Sequence, residues 1–276
     1  MTETDNLAME ATYINKHDTK NIICLPTQTS CCMGCNFCHI TDISSKIILR
    51  NITNVEIEDM VSYIFKDLQL SKDKMLLISF MGCGEPLLNV YNLIDAMSNL
   101  DNSYNQIRFA IATSMPANNE DNFTYFTHKI WENKLNVKLH LSLHYTNDKT
   151  RKQWMPSVDS IINSLNSIYK YKEITGNNIE IHYTLIDNVN DTDEDIRLLT
   201  KWFSGSDIFI KFLRYNAKNS IQSTETPFKK AQHIMKVLNN NNVNTEYYIP
   251  PARDIGGSCG QILVEEYLEH NNRKTQ

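Results

Sequence analysis

Cys31, Cys35 and Cys38 stand in C-x3-C-x2-C spacing within the run Cys31-Cys32-Met33-Gly34-Cys35-Asn36-Phe37-Cys38. A loop of this length can turn three thiolates toward three irons of a [4Fe–4S] cube, leaving the fourth iron open to a substrate or cosubstrate. Gly34 gives the backbone freedom to turn between ligands. The competing chemistry is a zinc knuckle with His39 or Cys32 as the fourth ligand. Structural zinc sites combine two well-separated ligand pairs and no second pair follows, so the spacing favours iron and sulfur. The chain has 7 cysteines, an odd number, and four of them fall in this one loop. That pattern suits metal or catalytic chemistry in a reducing compartment rather than a disulfide framework.

A cluster loop needs a rigid frame. Short β-rich runs at Asn21–Leu25, Met75–Phe80, Ile107–Thr113, Val137–Leu143, Ile179–Leu185 and Ile208–Leu213 alternate with helix-length amphipathic segments. The helices are expected near Asn54–Lys66, Asn89–Leu100, Asp121–Glu132, Val158–Lys170, Thr192–Phe203 and Pro227–Leu238, with Thr192 ahead of Glu194 and Asp195 as an acidic helix start. Strict alternation predicts an α/β fold with a parallel sheet, and six units fit a partial (β/α)6 TIM-like barrel. Functional residues of such a barrel sit in the loops after the strands. The cysteine loop follows the first strand, and Gly84-Glu85-Pro86 follows the second.

The chain has 276 residues, 41% apolar and 21% charged, which excludes a disordered, collagen-like or disulfide-dense scaffold. Its net charge of −5 shows no global basic signature of a dedicated nucleic-acid binder. The longest mainly apolar stretch, Met75 to Met81, is far too short to span a bilayer. The polar amino terminus has neither the basic nor the apolar region of a secretory signal, so the expected location is the cytoplasm. No Pro/Gly/Ser-rich linker divides the chain. Residues 1–20 read as a flexible leading segment, 21–250 as the partial barrel and 251–276 as a carboxy-terminal segment.

The cysteine loop together with Gly84-Glu85-Pro86 resembles the radical S-adenosylmethionine (SAM) superfamily. There, C-x3-C-x2-C cysteines hold a [4Fe–4S] cluster and a GEP motif receives the SAM amino group. The resemblance narrows to RNA adenine methyltransferases of the RlmN/Cfr type. It runs through Arg50-Asn51-Ile52-Thr53, Met81-Gly82-Cys83-Gly84-Glu85-Pro86-Leu87-Leu88-Asn89, Ser142-Leu143-His144 with Asn147-Asp148 and Arg151, Val189-Asn190-Asp191, Leu213-Arg214-Tyr215-Asn216 and Asp254-Ile255-Gly256-Gly257-Ser258-Cys259-Gly260-Gln261. Cys24, seven residues before Cys31, and Cys259 match that family's paired catalytic cysteines. A free cysteine is otherwise most often a small buried hydrophobe. Cys83 reads as packing, and Cys32 is not read as a ligand.

The resemblance implies two SAM molecules per turnover. One methylates Cys259; the other, cleaved by an electron from the cluster, gives a 5′-deoxyadenosyl radical that removes hydrogen from the methylated cysteine. The carbon radical adds to an electron-poor sp2 carbon. Cys24 then deprotonates that carbon and attacks the Cys259 sulfur, releasing product and leaving a disulfide. The same resemblance implies SAM contacts at Gly84, Glu85, Ser142 and Asn216, and an electron donor such as flavodoxin or ferredoxin. His144 reads either as a substrate contact or as a satisfied strand-end histidine; Arg151 and Lys149 read either as phosphate contacts or as a solvated face. No membrane partner is expected, and oligomeric state is not legible.

Three departures concern the acceptor. Relatives carry roughly 80 further residues ahead of the cluster loop, enough for a small accessory domain, so this is expected to be a shortened form. The segment Ile249-Pro250-Pro251-Ala252-Arg253 is poor in arginine, and Ile111-Ala112-Thr113-Ser114-Met115 lacks the usual serine/threonine–glycine pattern. The leading acceptor is an adenine in RNA; the alternative is a small heteroaromatic metabolite or a peptide, reached by a core with fewer phosphate contacts.

Overall fold

The computed structural model describes residues 7–17, 19–218, 221–249, 262–265 and 267–268. Eight strands lie in one sheet in sequence order: β1 (Thr12–His17), β2 (Lys20–Cys24), β3 (Met75–Phe80), β4 (Ile107–Thr113), β5 (Val137–Ser142), β6 (Ile179–Leu185), β7 (Phe209–Arg214) and β8 (Asn244–Tyr248). β2 through β8 are parallel and β1 runs antiparallel to β2. The sheet curls into a half-barrel, and its helices are α1 (Asn54–Asp67), α2 (Val90–Ser103), α3 (Glu120–Glu132), α4 (Asp148–Trp154), α5 (Ile161–Thr175), α6 (Asp193–Phe203) and α7 (Phe228–Asn240).

The six strands read from the sequence are β2–β7. Two strands go beyond that reading. Residues 12–17, inside the segment expected to be flexible, form β1, and Tyr13 fastens it by donating to Asn21 Oδ1 at 3.2 Å. β8 extends the parallel run beyond β7. Helix α4 was also unforeseen.

Strand alternation divides the side chains between two environments. Val137, Leu139 and Leu141 of β5, Ile181 and Tyr183 of β6, and Ile210 and Phe212 of β7 join the helices in one large apolar core. The opposite face, with Lys138, His140 and Ser142, then Glu180 and His182, then Lys211, lines the concave side of the half-barrel. Helix starts are fixed locally. Thr53 and Glu56 form a capping box on α1, reinforced by a two-pronged Arg50–Glu56 pair at 2.9 and 2.7 Å. Thr192 and Asp195 make the corresponding box on α6. No helix among the described residues is long and apolar enough to cross a membrane.

Candidate active site

The cysteine loop leaves the carboxyl end of β2, where a parallel barrel places its chemistry. A tight turn closes it: the Cys38 N–H donates to the Cys35 carbonyl at 3.0 Å, and Gly34 holds a left-handed φ of +67°. Three outside contacts pin the loop. The Asn36 N–H donates to the Trp154 carbonyl at 2.8 Å, Asn36 Nδ2 to the Gln153 carbonyl at 2.8 Å, and Lys218 Nζ to the Cys38 carbonyl at 2.9 Å. Lys218 is itself buried and paired with Asp42 Oδ1 at 2.8 Å.

Cys31, Cys35 and Cys38 are free thiols, and each is close enough to another of the three to oppose its ionisation. Burial first, and then the neighbouring thiols, push Cys31 up to about 12 and Cys35 well above the usual thiol range. Burial likewise raises Cys38. A bound metal centre would supply the positive charge that three crowded thiolates require. A second observation fits a cluster here. The Tyr145 hydroxyl is buried without a hydrogen-bond partner among the described residues, and it lies within electrostatic range of Cys35. Were Cys35 to hold a cluster, this phenol would be placed to donate to sulfur. Cys32 is exposed, and Cys83 packs with Ile40, Ile43, Leu263 and Val264.

Glu85 is fully buried and spends its carboxylate on protein. Oε1 accepts from Thr113 Oγ1 at 2.6 Å and from the Leu87 N–H at 3.1 Å. Oε2 accepts from the Ser114 N–H at 2.9 Å and Ser114 Oγ at 2.7 Å. It therefore ties the loop after β3 to the end of β4. Gly84 has φ of +102°, and a Cβ there would lie 2.6–2.7 Å from Thr27 and Gln28. Its close approach is to the loop after β2.

Ser142 ends β5 on the concave face, and Asn216 is half-buried just beyond β7. His144 is buried at φ +55°; its Nδ1 accepts the Thr184 N–H at 3.0 Å and its ring meets Phe37 edge-on at 5.1 Å. It is thus a satisfied strand-end histidine that also supports the cysteine loop. Arg151 does not face a phosphate. It is wholly buried, donating to the carbonyls of Leu143 at 3.2 Å, Ser114 at 2.9 Å and Asp159, and so clasps the ends of β4 and β5.

Cys24 ends β2, half-buried. Burial pushes its thiol up to about 11; hydrogen bonds with the Met81 backbone and the Ser79 side chain oppose this, while the Glu10 charge adds to it. Glu10 escaped the sequence reading. Burial raises its carboxyl pKa, and its Oε2 accepts the Leu263 N–H at 3.1 Å. Leu263 lies four residues after Cys259, which itself falls outside the described residues. A lone glutamate in a polar leading segment carries no spacing signal; only the fold brings it to Cys24.

No protein-family model matches the chain. Curated relatives do. The chain is 32% identical over 253 residues to a probable dual-specificity RNA methyltransferase RlmN of Thermosipho melanesiensis, covering 89% of this chain and 70% of that protein. A protein of the same name from Pseudothermotoga lettingae is 30% identical over 259 residues, covering 91% and 71%. The chain belongs to the RlmN family. As an RlmN-family protein it is a radical SAM methyltransferase, and it spans about 70% of the length of those relatives. Its fold agrees: a radical SAM methyltransferase from Sphaerobacter thermophilus superposes with a TM-score of 0.79 at 21% identity, covering 92% of this chain and 73% of that one. SuiB of Streptococcus suis, solved with S-adenosylmethionine bound, shares the fold at a TM-score of 0.60 and 14% identity, over 84% of this chain and 51% of its own.

Proposed function

We propose that this RlmN-family chain methylates an unreactive sp2 carbon of an RNA adenine through Cys259, with Cys24 as the resolving thiol. The supporting observation is Glu10, which acts electrostatically on Cys24 while holding the backbone just downstream of Cys259. Cys31, Cys35 and Cys38 would hold a [4Fe–4S] cluster, and the Gly84–Glu85 segment, Ser142 and Asn216 would border SAM. When bound, the cluster and two SAM molecules supply an electron, a methyl group and a hydrogen-abstracting radical, with flavodoxin or ferredoxin as electron source.

The chain's own residues do the rest. Cys259 carries the methyl carbon and presents it to the acceptor. Cys24, protonated at neutral pH because its pKa is about 11, must lose its proton before it can act. Glu10 is the neighbouring carboxylate, and its raised pKa makes it the better proton acceptor. As a thiolate, Cys24 takes the proton from the acceptor carbon and passes it on. The adduct's odd electron would return to the one-electron couple that a bound cluster supplies, and Cys24 then attacks the Cys259 sulfur: an S–S bond forms, the C–S bond breaks with its electron pair going to the transferred carbon, and that carbon takes up a proton to become the methyl group of the product.

The test is peptide mass mapping of Cys259 after anaerobic incubation with methyl-labelled SAM, together with Cys24→Ala. Label on Cys259 and a covalent protein–RNA adduct in Cys24→Ala are expected. An unlabelled Cys259 in protein with intact cluster and SAM overturns the reading.

The inward-turned Arg151 favours a second acceptor, a small heteroaromatic molecule or a peptide, because it withdraws a cation from phosphate. Weak RNA affinity with a shallow salt slope would select it.

A further inference from the structure

Inside the half-barrel, two residues along β5 from Ser142, the concave face carries a group of titratable side chains that the methyl-transfer reading does not use. His140 of β5 is paired in register with Glu180 of β6, and His182 follows two residues along the same face. All three are buried. His140 Nδ1 lies 2.9 Å from His182 Nε2 and 3.2 Å from Glu180 Oε1, and His182 Nε2 lies 3.3 Å from the same oxygen.

We propose that His140, Glu180 and His182 form a mononuclear site for a borderline divalent cation of the zinc class. In a tetrahedral zinc site with bonds of about 2.05 Å, neighbouring donor atoms stand roughly 3.3 Å apart. The three atoms here already form a triangle of nearly that size. They are carried on two adjacent hydrogen-bonded strands, the most rigid frame the fold offers. Imidazole nitrogens with one carboxylate select zinc-like cations over magnesium or calcium. Three protein ligands leave the fourth position for water or another oxygen or nitrogen donor.

A neutral imidazole carries one hydrogen, and the tautomers with it on His140 Nε2 and His182 Nδ1 leave Nδ1 and Nε2 as the donor atoms that face Glu180 Oε1. Among the described residues the polar contacts of the His140 ring all lie at Nδ1, on the other two donors, and Nε2 has no partner, so the ring is turned to present Nδ1 to the group.

Two ammonium groups occupy the carboxylate in this structure. Lys211 Nζ lies 2.6 Å from Glu180 Oε1, and Lys138 pairs with Oε2. Both have somewhere else to go. Lys211 already stands 4.0 Å from Glu246 Oε2 and over the Tyr248 ring, and the Lys138 side chain is exposed enough to turn to solvent. Cation binding is therefore an exchange, in which a divalent ion displaces Lys211 from Oε1.

The exchange gives the test its sign. The full chain, with its iron–sulfur cluster reconstituted so that the loop thiols are occupied, is titrated with zinc against a chromogenic chelator. Bound zinc is then examined by zinc-edge X-ray absorption. One equivalent of zinc with only nitrogen and oxygen neighbours is expected, lost in the double variant His140→Ala/His182→Ala with iron content unchanged. Lys211→Met should bind zinc roughly tenfold tighter, because the competing ammonium is gone. That arm stands even if the double variant fails to fold. No zinc binding, sulfur neighbours around the zinc, retention in the folded double variant, or unchanged affinity in Lys211→Met would each overturn the site.

Discussion

Glu10 accepts the Leu263 N–H at 3.1 Å, joining the approach to β1 to the chain's last described helical turn across 253 positions of sequence. The same carboxylate opposes ionisation of Cys24. One residue therefore bears on both halves of the proposed thiol pair, and the two effects separate in Glu10→Gln. Loss of the negative charge should lower the Cys24 pKa from about 11, so its alkylation by iodoacetamide at pH 8.5 (a condition of about one ordinary thiol pKa) should speed up. Turnover should nevertheless fall, because the proton acceptor is gone. Faster turnover accompanying faster alkylation would show that Glu10 is no base.

Arg151 presents a different dependence. Its guanidinium reaches three carbonyls on two strand ends and a following loop, in complete burial. Burial lowers its pKa to about 10, leaving it charged at neutral pH. An ammonium cannot reproduce that planar fork. Arg151→Lys should therefore cost about 3 kcal/mol by urea denaturation, at the upper end of what unsatisfied buried polar groups cost. A loss under about 1 kcal/mol would mean the clasp contributes little.

How far the sequence reached follows from which residues announce themselves. β3, β4 and β6 were legible with their full bounds because β-branched and aromatic runs are bounded by turn residues. β1, Thr-Tyr-Ile-Asn-Lys-His, and β8, Asn-Thr-Glu-Tyr-Tyr, lie at the sheet's two edges and carry too few apolar residues to show a strand period. In α4 the sole buried residue is an arginine, so no apolar stripe marked the helix. The cysteine loop was legible because its spacing is local. Glu10 was not, since its meaning depends on contacts with Cys24 and Leu263, far along the chain. Glu180 and His182 did leave a signal: alternate polar positions in a strand buried along its whole length. The reading of Ile179–Leu185 as one strand of a parallel sheet passed over it.

His144 gives the protein an acid-side weakness. Burial, with the nearby His182 of β6 and Arg151 of α4, holds its pKa down at about 3. Below pH 6.5 the unfolded imidazole takes up a proton that the folded one refuses, so stability falls as pH drops through this window. Each pH unit costs about 1.4 kcal/mol from this ring. His144→Asn keeps an acceptor for the Thr184 N–H without the titration. Between pH 6.5 and 5, wild-type protein should lose about 2 kcal/mol more than this variant in urea unfolding. Parallel losses would remove His144 as the cause.

Tyr145 connects the fold to the electronic properties of the proposed cluster. Its ring is held by stacking on Trp154 at 6.1 Å, and the Trp154 carbonyl in turn accepts the Asn36 N–H of the cysteine loop. Its hydroxyl, buried and unpartnered among the described residues, costs stability while no sulfur accepts from it. Tyr145→Phe should therefore leave the cluster-free protein as stable as before, or more stable by about 1 kcal/mol. Hydrogen bonds to cluster sulfurs draw off negative charge and raise the reduction potential. In the reconstituted protein the same substitution should shift the potential to more negative values, measured by an electron paramagnetic resonance redox titration. A lower potential also makes reduction by the donor harder, so SAM cleavage should slow with a fixed flavodoxin pool and recover with a stronger chemical reductant. An unchanged potential would mean that the phenol does not donate to the cluster.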